Sequence, residues 1–140
     1  MKRIEFVPDG DIEIYFKAAD VVVLPYVYIF QSGVIFLSYY FGLPVIATDV
    51  ASLRDYIVEG KTGFVCKPRD PIDLANCIET YFSSELYTKL EMRRREIQEF
   101  GNRKHCWAIA GEITRAVYSN LLAQSKPEIC REKLPADEKG

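Results

Sequence analysis

Gln31-Ser32-Gly33-Val34 leads straight into an almost wholly apolar stretch that ends at Gly42. A helix opening on such a turn leaves its first backbone N–H groups unpaired, and its dipole adds partial positive charge there. Ser32 supplies a hydroxyl, and Gly33 lets a ligand approach the backbone closely. That combination suits a phosphate or diphosphate. A plain serine N-cap uses the same residues, so the pattern alone leaves both readings open. A second polar cluster, Thr48 to Asp55, follows the apolar block Val45-Ile46-Ala47 and carries Thr48, Asp49, Arg54 and Asp55. Tyr26 and Tyr28, just ahead of the first turn, offer ring faces for a base or sugar, or for packing. Lys61 and Arg54 are the cations nearest these turns in the sequence; ordinary surface charge accounts for both equally well.

Other clusters read more plainly. Asp9, Asp11 and Glu13 have the spacing of a calcium loop, but no bidentate glutamate follows in register, so a turn and helix cap is the better reading. Cys66, Cys77, Cys106 and Cys130 lack metal-ligand spacing, and only His105 could join them, which argues for free thiols in a reducing compartment. No metal site is expected. Arg93-Arg94-Arg95 with Arg103-Lys104 is basic, yet Glu85, Glu91, Glu96 and Glu99 interleave with it. An ion-paired helix accounts for that run, with docking at an anionic membrane face as the alternative. Net charge is −2, which gives no general pull on nucleic acid.

These residues need a scaffold, and the apolar pattern supplies one. Val21 to Ala47 holds no charged residue, but Pro25, Gln31, Ser32, Gly33, Gly42 and Pro44 interrupt it. It reads as strand–helix–strand rather than a membrane span, because a parallel sheet covered on both faces needs continuous apolar strands. Strands are expected at Arg3–Phe6, Val21–Leu24, Pro44–Thr48 and Phe64–Cys66. Helices are expected from Asp11 to Ala19, from the Gln31-Ser32-Gly33 turn to Gly42, over Ser52–Val58, to about Phe82, over Ser84–Phe100 and over Trp107–Leu122. The alternation predicts an α/β, Rossmann-like domain: a mainly parallel sheet of about four strands flanked by helices. Residues 1–124 are expected to form that domain, incomplete on its N-terminal side, and 125–140 a polar, disordered tail. The opening MKRIEF reads as a strand start rather than a signal peptide.

The block AADVVVLPY, followed by QSGVIFLSYYFGLPVIATDVASLRDYIVEGKTGFVCKPRDPIDLANCI, resembles the C-terminal half of family-4 glycosyltransferases. The matching parts are Leu24-Pro25, Ser32-Gly33, Gly42–Asp49, Asp55, Gly60–Val65 and Pro68-Arg69-Asp70, in order. The ending HCWAIAGEITRAVYSNLL is similar to the family's closing helix. The resemblance implies a GT-B fold and retaining transfer of a sugar from a nucleotide diphosphate sugar to a glycan or lipid-linked acceptor. It implies no metal cofactor. It places the donor diphosphate on Ser32, Gly33 and Val34, and Gln31, Thr48, Asp49 and Asp55 along the cleft beside the sugar or ribose. A separate N-terminal acceptor-binding domain would complete the enzyme and carry its main cations. The location implied is cytoplasmic, with peripheral contact at the inner membrane face; an exposed sheet edge allows self-association. The chain departs from the family at Ile29 and Leu37, where two glutamates are common, and at Ala51-Ser52, where a glycine pair is common. No catalytic residue is assigned, and a non-catalytic Rossmann-like nucleotide- or partner-binding module is the alternative.

Overall fold

The computed structural model describes residues 6–104 and 107–124. They fall into two compact units, Met1–Cys106 and Trp107–Gly140. The first holds a three-stranded parallel sheet in the order β1-β2-β3, with β1 at Val22–Leu24, β2 at Val45–Thr48 and β3 at Gly63–Cys66. Val22 pairs with Val45, and Val45 with Gly63, so all three strands end at one edge. Every residue of the central β2 is buried, as expected of a strand covered on both faces. The expected strand at Arg3–Phe6 lies outside the described residues except for Phe6, which is in no strand.

Helices α1 (Asp9–Ala18), α2 (Gly33–Tyr40), α3 (Pro71–Phe82), α4 (Glu85–Thr88) and α5 (Leu90–Lys104) surround the sheet, and a 3-10 turn covers Leu53–Tyr56. The uncharged run from Val21 therefore divides into β1, a loop, α2 and β2. No helix among the described residues is long and apolar enough to cross a membrane. Helix α1 starts two residues earlier than expected. Pro8 occupies the N-cap position, its fixed φ suiting the turn, and Asp11 lies inside the first turn. The expected Ser84–Phe100 helix is two helices that break at Lys89. Tyr87 of α4 packs on Phe82 and Tyr81, with ring centroids 4.8 and 5.5 Å apart, whereas α5 runs against α2. Different partners impose different axes, and the chain turns between them.

The core gathers Ile35, Tyr39, Ile46, Leu53, Tyr81, Leu86 and Ile97. Gly42 ends the α2 corner at φ 69°, and a Cβ there would lie 2.6 Å from the Arg94 carbonyl oxygen, so this turn requires glycine twice over. Arginines on α5 pair within their own helix: Arg93 with Glu96 at 2.7 Å, Arg94 with Glu91 at 3.3 Å and Arg95 with Glu99 at 3.1 Å. In the second unit, α6 (Trp107–Gln124) carries Ile109, Ile113, Val117 and Leu121 at four-residue spacing, all exposed. The expected 125–140 tail lies outside the described residues.

Two fully buried tyrosines keep their hydroxyls satisfied. Tyr39 donates to the Tyr56 carbonyl at 2.8 Å, and Tyr81 to the Asp20 carbonyl at 2.7 Å. Burial pushes the Tyr39 hydroxyl up to about 12, against a pull downward from Thr62, and burial with the nearby Asp20 charge raises Tyr81 as well. Both protons are held more tightly in the folded state than in the unfolded chain. The Tyr39 contribution to stability is complete below pH 10.0 and is lost as pH rises through about 12, and the raised Tyr81 contributes with the same sign. Absorbance at 295 nm should show that two of the nine tyrosines ionise only with unfolding, followed in parallel by circular dichroism. Ionisation of all nine near pH 10 with the fold intact would contradict this.

Candidate functional site

Parallel strands gather their following loops at one edge, which is where open α/β sheets bind ligands. Here those loops are residues 25–32 after β1, 49–52 after β2 and 67–70 after β3. Thr48, at the end of β2, is buried, and its hydroxyl donates to the Tyr26 carbonyl at 2.5 Å. Thr48 therefore ties the first two loops together from below rather than presenting its hydroxyl to solvent. The Tyr26 hydroxyl lies 3.4 Å from Ser32 Oγ, and the Asp49 amide donates to the Cys66 carbonyl at 2.7 Å. The three loops thus share a fixed base.

Helix α2 begins at Gly33, with Ser32 in the N-cap position. Ser32 is buried and makes no side-chain cap bond to the helix, unlike Asp70, which accepts from the Ile72 and Asp73 amides at 3.1 and 3.0 Å. Gln31, Gly33 and Val34 are exposed. A side chain at Gly33 would not strain the turn: its φ is outside the left-handed region, and a Cβ would meet nothing within 4 Å. Asp49 and Asp55 are both exposed, and Arg54 Nη1 lies 3.2 Å from Asp49 Oδ2. The arrangement combines an open helix start, a fixed carboxylate–guanidinium pair and an aromatic loop on one edge. Lys61 lies in the turn ahead of β3, at the opposite end of that strand from this edge. A separate concavity of about 560 Å³ is lined by Phe64, Asn76, Glu79, Thr80, Ser83 and Ser84; the ledge formed by the exposed Gln31, Gly33, Val34, Asp49 and Asp55 shares no residue with it.

Among the described residues no group of three or more His, Cys, Asp or Glu is placed to hold a metal ion. Cys66 and Cys77 are free thiols, both raised by burial, Cys66 to about 11.

One feature of this edge was not anticipated from the residues. Ala51 at φ 48° and Arg69 at φ 59° both hold left-handed backbone conformations without being glycine, one after each of β2 and β3. The signal was the alanine standing where a glycine pair is common. A left-handed L-residue costs about 1–2 kcal/mol, part of which glycine returns through its freer unfolded chain. Ala51→Gly should therefore stabilise the fold by about 0.5–1 kcal/mol, raising Tm by about 3 °C. A lowered Tm in calorimetry would refute this account of the turn.

Comparison with known proteins agrees with this architecture. The family model described as Glycosyl transferases group 1 matches residues 1–84 of the 140. A D-inositol 3-phosphate glycosyltransferase from Geodermatophilus obscurus is 30% identical over 115 residues, covering 79% of this chain and 23% of that protein. The sucrose-phosphate synthase structure from Thermosynechococcus elongatus superposes with a TM-score of 0.70 at 26% identity, over 80% of this chain and 28% of that one. The chain thus spans less than a third of the length of either relative. With the parallel sheet, the flanking helices and the ordered motif block in agreement, this chain belongs to the group 1 glycosyltransferases, as a segment of their GT-B C-terminal domain.

Proposed function

We propose that the chain is the donor-binding half of a retaining glycosyltransferase that moves a sugar from a nucleotide diphosphate sugar to a glycan or lipid-linked acceptor. The diphosphate sits on the Ser32, Gly33 and Val34 amides, with Gln31, Asp49 and Asp55 beside the sugar or ribose. No metal takes part: oriented N–H groups and cations steady the charge that grows on the leaving phosphate. An N-terminal acceptor-binding domain forms the other wall of the cleft. The enzyme works in the cytoplasm, with peripheral contact at the inner membrane face. Arg93, Arg94 and Arg95 contribute little to that contact, since each is already ion-paired within α5. Self-association of the isolated chain accompanies this reading as a by-product.

The observation that carries the proposal is Gly33. It is exposed at the start of a helix whose N-cap serine makes no capping bond, and the fold has no need of a glycine there. A phosphate seated against the backbone supplies that need. Gly33→Val leaves the core untouched and fills the space above the amides. Titration calorimetry with UDP, GDP and dTDP should find binding to the native chain and a loss of about tenfold or more in the variant, the scale of a lost charged hydrogen bond. Equal affinity in both proteins, with unchanged circular dichroism, would remove the site. The second reading, a nucleotide-binding module without catalysis, draws on Ile29 and Leu37: both are half-buried and neither accepts a hydrogen bond.

A further inference from the structure

The loop between β1 and α2 is built unevenly. Tyr26 and Ile29 are half-buried and pack against the core cluster, and the Thr48 hydroxyl fixes the Tyr26 carbonyl at 2.5 Å. Those anchors hold the loop down at its start and middle. The residues between and beyond them face outward: Tyr28 is 74% exposed and Phe30 81% exposed. The two rings are not independent, because their centroids lie 5.4 Å apart in an edge-to-face arrangement. Two large aromatic side chains left in water on a pinned loop, one residue short of the Ser32–Gly33 helix start, form a preorganised apolar wall beside the ledge. Such rings take the C–H face of a sugar or the plane of a base. From Val21 to Thr48 no side chain carries a charge, so this wall offers sugar hydroxyls no carboxylate acceptor. A sugar hydroxyl pressed on the Phe30 ring loses water and gains no partner there, which is unfavourable. A methyl group in the same place loses nothing.

We infer that Tyr28 and Phe30 form the sugar-facing wall of the donor site and select a donor whose sugar presents an apolar edge, with a 6-deoxyhexose as the substrate class. This rests on the donor-binding reading above. A nucleotide diphosphate sugar carries its sugar on one phosphate and its ribose on the other, so both flank the Gly33 position, next to which the wall stands in the chain. A nucleobase also stacks on rings. Base recognition adds hydrogen bonds to the base edge, and the side chains of residues 25–30 supply a single hydroxyl for them beyond Tyr26, that of Tyr28.

The test compares donors that share a nucleotide and differ in one oxygen. The 140-residue chain would be titrated with GDP-mannose against GDP-D-rhamnose, and with dTDP-glucose against dTDP-6-deoxyglucose. GDP and dTDP alone serve as references. The 6-deoxy member of a pair should bind roughly three- to tenfold more tightly, the scale of one stacking contact. Saturation-transfer NMR should show magnetisation passing from aromatic protons to the sugar methyl group. In Tyr28→Ala and Phe30→Ala the advantage of the 6-deoxy sugar should shrink toward one, with circular dichroism confirming the fold. Binding of GDP or dTDP with no preference between matched sugars would overturn the inference and leave the donor site standing. A preference that survives both alanine variants would overturn it too. Weakening of bare GDP or dTDP by the variants would assign the rings to the base instead, against the inference. Absence of binding by every nucleotide would overturn the donor reading itself and this inference with it.

Discussion

Replacing Gly63 with alanine is expected to cost roughly 3 kcal/mol or more, a large part of the stability of a domain this size. Gly63 opens β3 in register with Val45 of the fully buried β2. A Cβ at residue 63 would stand 1.8 Å from the Val45 carbonyl oxygen and 2.8 Å from its carbon. Both are backbone atoms of the central strand, so no side-chain rotation relieves the overlap. The strands must part, and the parallel hydrogen bonds between β2 and β3 go with them. Denaturant unfolding should show the midpoint collapse. Gly10→Ala provides the contrast: Gly10 lies in α1, nothing would meet its Cβ, and alanine there should stabilise by about 0.5–1 kcal/mol. Equal behaviour of the two variants would show that close strand approach at Gly63 is not what holds this sheet.

The second large effect concerns turnover. Sugar transfer by this 140-residue chain alone is expected to run at least about a hundredfold below that of a chain extended to the length of its relatives. The chain covers 23% and 28% of the two proteins it is compared with above. In the proposed division of labour it forms one wall of a cleft. Alignment of acceptor against donor, which can be worth several kcal/mol of a barrier, needs the other wall. Nucleotide release and acceptor glycosylation should be measured for both chains across a panel of nucleotide sugars. Matching rates would show that one half carries the reaction unaided.

The three strands were legible because each is an apolar block bounded by proline, glycine or a polar turn, and a buried parallel strand has little freedom to look otherwise. The start of α2 at Gly33 was legible for the same reason. What escaped the sequence depends on partners far along the chain. The break at Lys89 has no glycine or proline to mark it; it follows from α4 packing on α3 and α5 packing on α2. The role of Thr48 was invisible too, since its hydroxyl is directed by a carbonyl of Tyr26, 22 residues upstream. Gly33 and Gly63 look alike as letters, yet one faces open space and the other a strand. Only the folded neighbourhood separates a glycine with open space above it from a glycine kept for packing.

Three long-range polar anchors of the first unit run from a late side chain to an early backbone oxygen. Arg94 on α5 reaches back to the Ala19 carbonyl at 3.0 Å, Gln98 to the Tyr40 carbonyl at 3.0 Å, and Tyr81 on α3 to the Asp20 carbonyl at 2.7 Å. In each case a late side chain closes on an early backbone oxygen just before β1 or at the α2 corner. During synthesis the ribosome therefore releases β1, α2 and β2 well before their fasteners exist. Until α5 emerges, the uncharged stretch from Val21 to Thr48 has no lid, and it is the segment most in need of a chaperone's shelter. A pause once α5 has left the ribosome would let the domain lock; a pause while α5 is still inside would leave its most adhesive strands in the open.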